Sequence, residues 1–382
     1  MKTDSRFTIL ENSTGFSLNP QVTLGLLSLA VILFCALPTL AETGSDRVNV
    51  IRIPGSGKVL KAERSVDGTI HLLVDAADGP QYLKSKDDGQ SFSSAISIVD
   101  AAAQKPGLKF SGWDMAVGKD GRVHVALGNN AWKLKLPQDE WSLYYANLAL
   151  GAGAFSPLRN LNRKPSEGFS LAADGHGLVT ATFLSDKLFA MVSRDNGQTF
   201  AASAEINPTW DPCNCCTTST AYGPDGKLAV LYREETNNER DMYLALWDQS
   251  SAAKPSRARI STTPWKVDGC PMTYFTITPT DKGYLAVWPT KGQAYFARLD
   301  QSGAVLPPGE IKTPGTTGMR TGLLALSARN EATLVAWKNK DVLGWQLYDA
   351  KGQPQGNPGS KNSPGHGAAG VVLPTGDFLL FL

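Results

Sequence analysis

The segment SVDGTIHLLV, residues 65–74, is the first of several units in which a turn is followed by an apolar run. Close copies are GKDGRVHVAL (118–127), AADGHGLVTA (172–181) and GPDGKLAVLY (223–232), and weaker copies are TDKGYLAVW (280–288), ARNEATLVAW (328–337) and LPTGDFLLFL (373–382). An Asp-Gly pair supplies the positive φ values of a tight hairpin turn, and the flanking apolar and β-branched residues are typical of strands. Each unit therefore predicts two antiparallel strands joined by a turn.

These turns recur at a nearly constant spacing along the chain. The landmark residues are Asp67, Asp120, Asp174, Asp225, Asp281, Asn330 and Gly376. Successive landmarks are separated by 53, 54, 51, 56, 49 and 46 residues. Such a repeat predicts an all-β fold, a β-propeller with one four-stranded antiparallel sheet per repeat. Seven landmarks indicate seven blades, and six blades is the alternative if the first and last units share a sheet.

The last repeat ends after its second strand, so its sheet needs strands from elsewhere. The segment VNVIRI, residues 48–53, is apolar and precedes the first repeat. We expect it to add an outer strand to the last sheet. The two ends of the chain would then close the ring and remove an exposed sheet edge.

The N-terminal region contains a long apolar run, LGLLSLAVILFCALPTLA, at residues 24–41. Its small terminal residues predict a cleaved signal peptide, whereas its length, close to the ~20 residues that span a bilayer, makes an uncleaved anchor the alternative. We expect residues 1–41 to be the signal or anchor, 42–47 a linker and 48–382 one propeller domain, exported to the periplasm or the cell exterior. The net charge of +2, without a basic block, argues against nucleic acid and against membrane contact beyond that anchor.

A second motif closes several repeats. Residues 85–92 (SKDDGQSF) and 193–200 (SRDNGQTF) both fit S-x-D-x-G-x-[ST]-[FW], and degenerate relatives begin at Asp300 and Asp349. In such a turn the Asp and Ser side chains bond the backbone, Gly is left-handed, and the aromatic residue packs between sheets. The motif resembles the Asp-box, or BNR repeat, of sialidase-like propellers. The resemblance implies the fold and says little about activity, because Asp-boxes in that superfamily are structural and lie away from the active face.

The loops that enter the innermost strands should surround one mouth of the central channel. They lie about six to twelve residues before each landmark, as expected for a propeller blade. The residues of interest in these windows are Trp113, Asp114, Glu167, Cys213–Cys216, Cys270, Met272, Met319, Arg320 and His366. We expect a glycan or a related small ligand to bind there.

Each candidate residue has a chemical role in that hypothesis. Trp113 would stack on a sugar, Asp114 or Glu167 would act as acid or base, and Arg320 would bind an acidic group. His366 is the histidine predicted to contribute to this site, because His71 and His124 occupy equivalent repeat positions on second strands.

The sialidase-like resemblance also implies three arginines that bind the substrate carboxylate. Arg52 in R-I-P (52–54), Arg233 and Arg320 come in a plausible order for these roles, since guanidinium groups bind carboxylates bidentately. No tyrosine has a recognisable nucleophile context and no aspartate matches the family's acid. Glycoside hydrolysis therefore stays open, and a non-enzymatic binding or scaffold propeller is the alternative.

Four cysteines follow the N-terminal run: Cys213, Cys215, Cys216 and Cys270. Cys216 and Cys270 are 54 residues apart, one repeat period, which predicts that the two groups meet in adjacent blades. An even count in an oxidising compartment favours two disulfides, one from Cys270 to the cluster and one within it, and requires no cofactor. The alternatives are a copper or zinc site that includes His366 or Met272, and a redox or catalytic thiol.

Overall fold

A computed structural model describes residues 46–382, so the predicted signal peptide or anchor lies outside the described residues. Within 46–382 the regular structure is almost entirely β, with two 3₁₀ helices at Ala101–Ala103 and Gln138–Glu140. No helix in this part of the chain is both long enough and apolar enough to span a bilayer.

The strands are arranged as seven blades. β1 is Val48–Ile51, and blade 1 contains β2 (Lys58–Arg64), β3 (Ile70–Ala76), β4 (Gly79–Ser85) and β5 (Ile96–Ser97). Blade 2 contains β6 (Phe110–Val117), β7 (Val123–Asn129), β8 (Tyr144–Leu148) and β9 (Arg159–Asn160); blade 3 contains β10 (Glu167–Ala173), β11 (Val179–Ser185), β12 (Lys187–Ser193) and β13 (Ala204–Glu205). Blade 4 contains β14 (Thr218–Tyr222), β15 (Leu228–Arg233), β16 (Met242–Trp247) and β17 (Ser256–Arg259); blade 5 contains β18 (Thr276–Thr280), β19 (Gly283–Thr290), β20 (Gln293–Asp300) and β21 (Ile311–Thr316). Blade 6 contains β22 (Leu323–Ser327), β23 (Thr333–Asn339), β24 (Val342–Tyr348) and β25 (Pro354–Asn362); blade 7 contains β26 (Ala369–Val372) and β27 (Phe378–Phe381).

The predicted propeller is confirmed. In blades 1 to 6 each strand pairs antiparallel with the next in the chain. The first strand of every blade lies beside the first strands of both neighbouring blades, from β2 round to β26 and back to β2. The first strands therefore surround the central channel. The six-blade alternative is wrong.

Blade 7 is closed by the N-terminal strand, as predicted, but with a different geometry. β1 pairs with β27 in parallel, from Val48 opposite Phe378 to Ile51 opposite Phe381. The blade has three described strands rather than four, in the order β1-β27-β26. The backbone ladder continues beyond the strand, since Ile53 N donates to Leu382 O at 3.0 Å.

The Asp-Gly landmarks form the turns between first and second strands. In the turn before β3, Gly68 has a φ of 88°, and Thr69 N donates to Asp67 Oδ1 at 3.0 Å. Gly68 N also donates to Ser65 O at 3.0 Å. Only the glycine is left-handed in this turn. The hairpin is therefore a three-residue loop with a bulge, and not a two-residue turn with two positive φ values.

The two S-x-D-x-G-x-[ST]-[FW] segments form the predicted hydrogen-bonded turns between third and fourth strands. In the second of them, Asp195 accepts from Thr199 N at 2.8 Å, and Gly197 N donates to Ser193 Oγ at 2.8 Å. The closing aromatic rings reach the adjacent blade: Phe200 packs edge-on against Tyr145 with ring centroids 5.0 Å apart. These turns lie on the same side of the propeller as the Asp-Gly turns, opposite the loops that connect the blades.

Candidate functional site

The channel mouth is the end of the propeller that carries the connecting loops. Two of these loops are tied together, because Arg320 N, before β22, donates to Met272 O, before β18, at 2.7 Å. Both residues have positive φ values, 52° for Arg320 and 45° for Met272. Left-handed non-glycine residues are strained and occur often at functional sites. The loop tips of blades 5 and 6 are thus held in an uncommon conformation.

A carboxylate and a guanidinium meet across the mouth. Arg320 Nη2 lies 3.8 Å from Glu167 Oε2, and both side chains are about half exposed. Burial raises the pKa of Glu167; the positive charge of Arg320 lowers it, and the nearby Cys216 raises it. Two of the three residues predicted to be catalytic therefore form one ion pair, contributed by blades 3 and 6.

Trp113 and Tyr274 form an aromatic contact, and the Tyr274 ring lies near this ion pair. Trp113, on β6, packs edge-on against Phe169 with centroids 5.2 Å apart, and its ring lies 6.2 Å from that of Tyr274. Burial raises the pKa of Tyr274, which also feels the charges of Arg320 and Glu167. Side chains from blades 2, 3, 5 and 6 thus converge at the mouth.

Tyr274 is a mouth residue that the sequence prediction missed. It lies seven positions before the landmark Asp281, inside the window that defines the mouth. The more conspicuous Cys270 and Met272 were chosen from that window instead. An aromatic residue in the same window as Trp113 was the signal that could have identified it.

Asp114, on the first strand of blade 2, has a structural role and not the predicted role of acid or base. It is buried, and its two carboxylate oxygens accept from Met115 N and Leu171 N, each at 2.9 Å. Lys61 Nζ lies 2.9 Å from Asp114 Oδ1. Asp114 therefore links the first strands of blades 1, 2 and 3.

The other two predicted ligand-binding arginines belong to other blades than Arg320 and make different contacts. Arg52 is exposed and directly follows β1, the outermost strand of blade 7. Arg233 is buried in blade 4, where its guanidinium donates to the carbonyls of Arg240 and Pro289, each at 2.5 Å, and lies 4.7 Å from the Trp265 ring. This placement gives no support to a shared carboxylate-binding site.

Two further predicted residues lie on exposed parts of the mouth loops. Met319 is 68% exposed, next to Arg320. His366 is exposed as well, and its carbonyl accepts from Gly322 N at 2.6 Å. His366 thereby ties the loop before blade 7 to the first strand of blade 6.

The predicted meeting of the cysteine groups is observed. Cys215 and Cys270 form a disulfide between the loops that enter blades 4 and 5, with Cα atoms 6.2 Å apart, within the normal range. Cys213 and Cys216 are buried thiols whose sulfurs lie 3.4 Å apart. Cys213 Sγ is also 3.6 Å from Cys215 Sγ. The expected disulfide from Cys270 to the cluster is therefore present, whereas the second expected disulfide, within the cluster, is not formed, and Cys213 and Cys216 are free thiols.

The two thiols have unequal electrostatic environments. The hydrogen bond with Cys213 and the charge of Arg233 lower the pKa of Cys216 against the opposing effect of burial. Hydrogen bonding to Cys216 and burial raise the pKa of Cys213, although Arg240 Nη1 donates to its sulfur at 3.0 Å. Cys216 is therefore the more acidic thiol of the pair.

The sulfur cluster has part of the donor set for a soft metal ion. Cys213, Cys215 and Cys270 have sulfurs within 4.8 Å of one another. However, two of these three sulfurs are joined as a disulfide and are not thiolate ligands in that state.

Comparisons with known proteins agree with the propeller fold. No family model and no curated protein matches the chain. Among solved structures, the Dos1 propeller aligns with a TM-score of 0.50 at 14% identity, over 85% of this chain and 78% of that chain. YCF48 from Cyanidioschyzon merolae aligns with a TM-score of 0.45 at 12% identity, over 84% of this chain and 90% of that chain. At 14% identity, the similarity to the Dos1 propeller shows the fold alone.

Proposed function

We propose that this propeller binds a glycan at the channel mouth, with a preference for sugars that carry a carboxylate. The observation that carries the proposal is the convergence of Trp113 and Tyr274 with the Glu167–Arg320 pair. Aromatic faces stack on the apolar faces of sugar rings, and a half-exposed guanidinium binds a carboxylate. The predicted export from the cell is consistent with a glycan ligand.

Binding is better supported than hydrolysis. Most glycosidases need two carboxyl groups facing the scissile bond, one as acid and one as base or nucleophile. Glu167 has the raised pKa of a general acid, but Asp114 accepts two backbone N–H groups and pairs with Lys61. Assays with aryl sialosides and aryl glucuronides check this point, because turnover that is lost in Glu167→Gln would establish an enzyme.

The binding experiment compares sialyllactose with lactose, measured by calorimetry on the purified protein. We expect saturable binding of sialyllactose, a loss of roughly tenfold or more in Trp113→Ala, and loss of the acidic preference in Arg320→Gln. Trp132→Ala is the matched control, since Trp132 is 58% exposed and lies outside the aromatic cluster. Undetectable binding of both sugars, or wild-type affinity in Trp113→Ala, would overturn the proposal.

The pH dependence of binding tests the role of the ion pair. Because the pKa of Glu167 is raised above its usual 4.5, this side chain loses its charge at a higher pH than a free glutamate. Protonated Glu167 no longer competes for Arg320, while the sugar carboxylate stays ionised. Sialyllactose affinity is therefore expected to rise as the pH falls through the pKa of Glu167, and Glu167→Gln should remove this dependence. A pH-independent affinity in the wild type would contradict this role.

A further inference from the structure

The four cysteine sulfurs lie in one continuous group, with the disulfide on the outside and the dithiol inside. Cys215 and Cys270 are partly exposed, whereas Cys213 and Cys216 are each only 2% exposed. The spacing Cys213-x-x-Cys216 is produced by a tight turn, in which Cys216 N donates to Cys213 O at 3.1 Å. Cys213 lies between the other sulfurs, 3.4 Å from Cys216 and 3.6 Å from Cys215.

We propose that Cys213, Cys215, Cys216 and Cys270 form a thiol–disulfide exchange centre, in which the buried dithiol and the partly exposed disulfide pass two electrons between them. Exchange requires a thiolate next to a disulfide sulfur, and Cys213 is the thiol in contact with Cys215. This activity does not depend on the proposed glycan site.

The proposed exchange conserves atoms, electrons and charge without any external reagent. The exchange starts from a dithiol that carries one proton, on Cys213. That proton moves to Cys216 as Cys213 Sγ attacks Cys215 Sγ; the Cys213–Cys215 bond forms and Cys270 leaves as a thiolate. Through solvent, Cys270 then takes the proton of Cys216, and Cys216 attacks Cys213 Sγ. The Cys213–Cys216 bond forms and Cys215 leaves as a thiolate. The dithiol is oxidised by two electrons, the disulfide is reduced by two, and the net charge is unchanged.

The cationic side chains of Arg240, partly buried, and Arg233, buried, stabilise the anionic sulfur during these steps. Arg240 Nη1 donates to Cys213 Sγ at 3.0 Å, and Thr273 Oγ1 lies 3.5 Å from Cys216 Sγ. Arg233 is buried beside both thiols and donates to Thr273 Oγ1 at 3.3 Å. Cationic neighbours of this kind are typical of reactive cysteines and not of inert buried ones. Dissolved thiols and disulfides would meet the centre through Cys215 and Cys270.

The test maps the disulfides after equilibration of the full-length protein in buffers of reduced and oxidised dithiothreitol. Samples are quenched with acid, blocked with N-ethylmaleimide and digested without reduction for mass spectrometry. In the wild type we expect both Cys215–Cys270 and Cys213–Cys216 peptides at intermediate potentials. Cys216→Ser should accumulate the Cys213–Cys215 peptide with a free Cys270, because the second step is blocked. Cys213→Ser is the matched control and should keep only Cys215–Cys270.

Several outcomes would overturn the proposal. One is a Cys216→Ser protein that contains only Cys215–Cys270 at every potential, with Cys213 always alkylated. Another is a native protein with four alkylatable thiols and one tightly held zinc or copper ion, which would establish a metal site. If the variants do not fold, a wild type that never yields the Cys213–Cys216 peptide is equally decisive.

Arg240 provides a separate test of positioning. Arg240→Gln is expected to slow exchange by roughly tenfold at neutral pH, because loss of the cation raises the pKa of the attacking Cys213 thiol. Arg240→Lys should restore most of the rate, and the rate difference between the two variants should shrink at alkaline pH. Equal exchange rates in both variants and the wild type would show that Arg240 has no role in the exchange.

Discussion

Gly197 illustrates how one residue joins two blades. It has a φ of 79°, and a Cβ at this position would overlap Tyr145 Oη and approach His124 Nδ1 to 3.1 Å. Gly226 has nearly the same φ, 78°, but a Cβ there would meet nothing within 4 Å. Both residues require the left-handed backbone conformation, whereas only Gly197 also requires the absence of a side chain.

This pair gives a matched prediction about stability. Gly226→Ala should lower the free energy of unfolding by about 1 kcal/mol, the cost of a left-handed alanine. Gly197→Ala should lower it by about 3 kcal/mol, because overpacking is added to that cost. Urea unfolding of both variants measures the difference, and equal losses would show that Tyr145 moves away at no cost.

Buried histidines make the stability depend on pH. His124 is fully buried, and its Nδ1 lies 2.6 Å from Tyr145 Oη; His71 and Tyr82 form the same pair one blade earlier, at 2.7 Å. Burial is the main cause that lowers the pKa of each histidine to about 4, from an ordinary value of 6.5. The unfolded chain therefore binds more protons than the folded chain between these two values, and stability is lost as the pH falls through that window.

The expected size of this effect follows from the linkage relation. Between about pH 6.5 and 5, His124 should contribute a loss of about 2 kcal/mol in the free energy of unfolding. His124→Gln should remove that part of the pH dependence, measured by urea unfolding at both pH values. His176→Gln, on an exposed turn, is the control and should leave the dependence as in the wild type. An unchanged slope in His124→Gln would show that the imidazole is protonated in the folded state.

At the scale of the element, backbone hydrogen bonds join β1 to β27. Phe378 N donates to Arg47 O and Leu382 N donates to Ile51 O, both at 2.8 Å. In a parallel ladder alternate residues face the partner strand, so the N–H of Asn49 points to β27 and the N–H of Val50 points away. The backbone N–H of Asn49 is therefore bonded to β27, whereas that of the neighbouring Val50 is not.

Proline substitutions separate these two positions. Asn49→Pro should lower the free energy of unfolding by about 2 kcal/mol, because it removes a ladder hydrogen bond. Val50→Pro should cost less, although Val50 has the more buried side chain, because its N–H makes no bond to β27. Chemical denaturation gives both values. The reverse order would mean that side-chain packing, and not the ladder, closes the ring.

At the scale of the whole molecule, the Cys215–Cys270 disulfide joins blades 4 and 5 across 55 residues of sequence. A loop of that length corresponds to a stabilisation of about 4 kcal/mol in the chain-entropy description. A strong phosphine reductant should therefore lower the free energy of unfolding of the wild type by up to that amount. A variant in which Cys213, Cys215, Cys216 and Cys270 are all replaced by Ser should be insensitive to the reductant. A wild type that unfolds identically with and without reductant would contradict a stabilising role.

Periodicity allowed the architecture to be predicted from the sequence, and it also identified the mouth loops on which the candidate site is proposed. Each repeat encodes one blade, so the turns, the blade number and the meeting of the two cysteine-bearing loops follow from spacing alone. Departures from the repeat could not be predicted in this way. The parallel direction of β1 depends on where the chain re-enters the last blade. The Glu167–Arg320 pair and the contact with Tyr274 depend on loop conformations that include left-handed Met272 and Arg320.

The pairing of β1 with β27 also determines the order in which the molecule is assembled during synthesis. β1 leaves the ribosome before all the other described strands, and its partner leaves last. Six blades have all their own strands before that moment and are free to stack, while β1 waits for a neighbour more than three hundred residues away. The ring is thus sealed only in the final stage of folding. Until then β1 is an unpaired strand, open to chaperones and proteases.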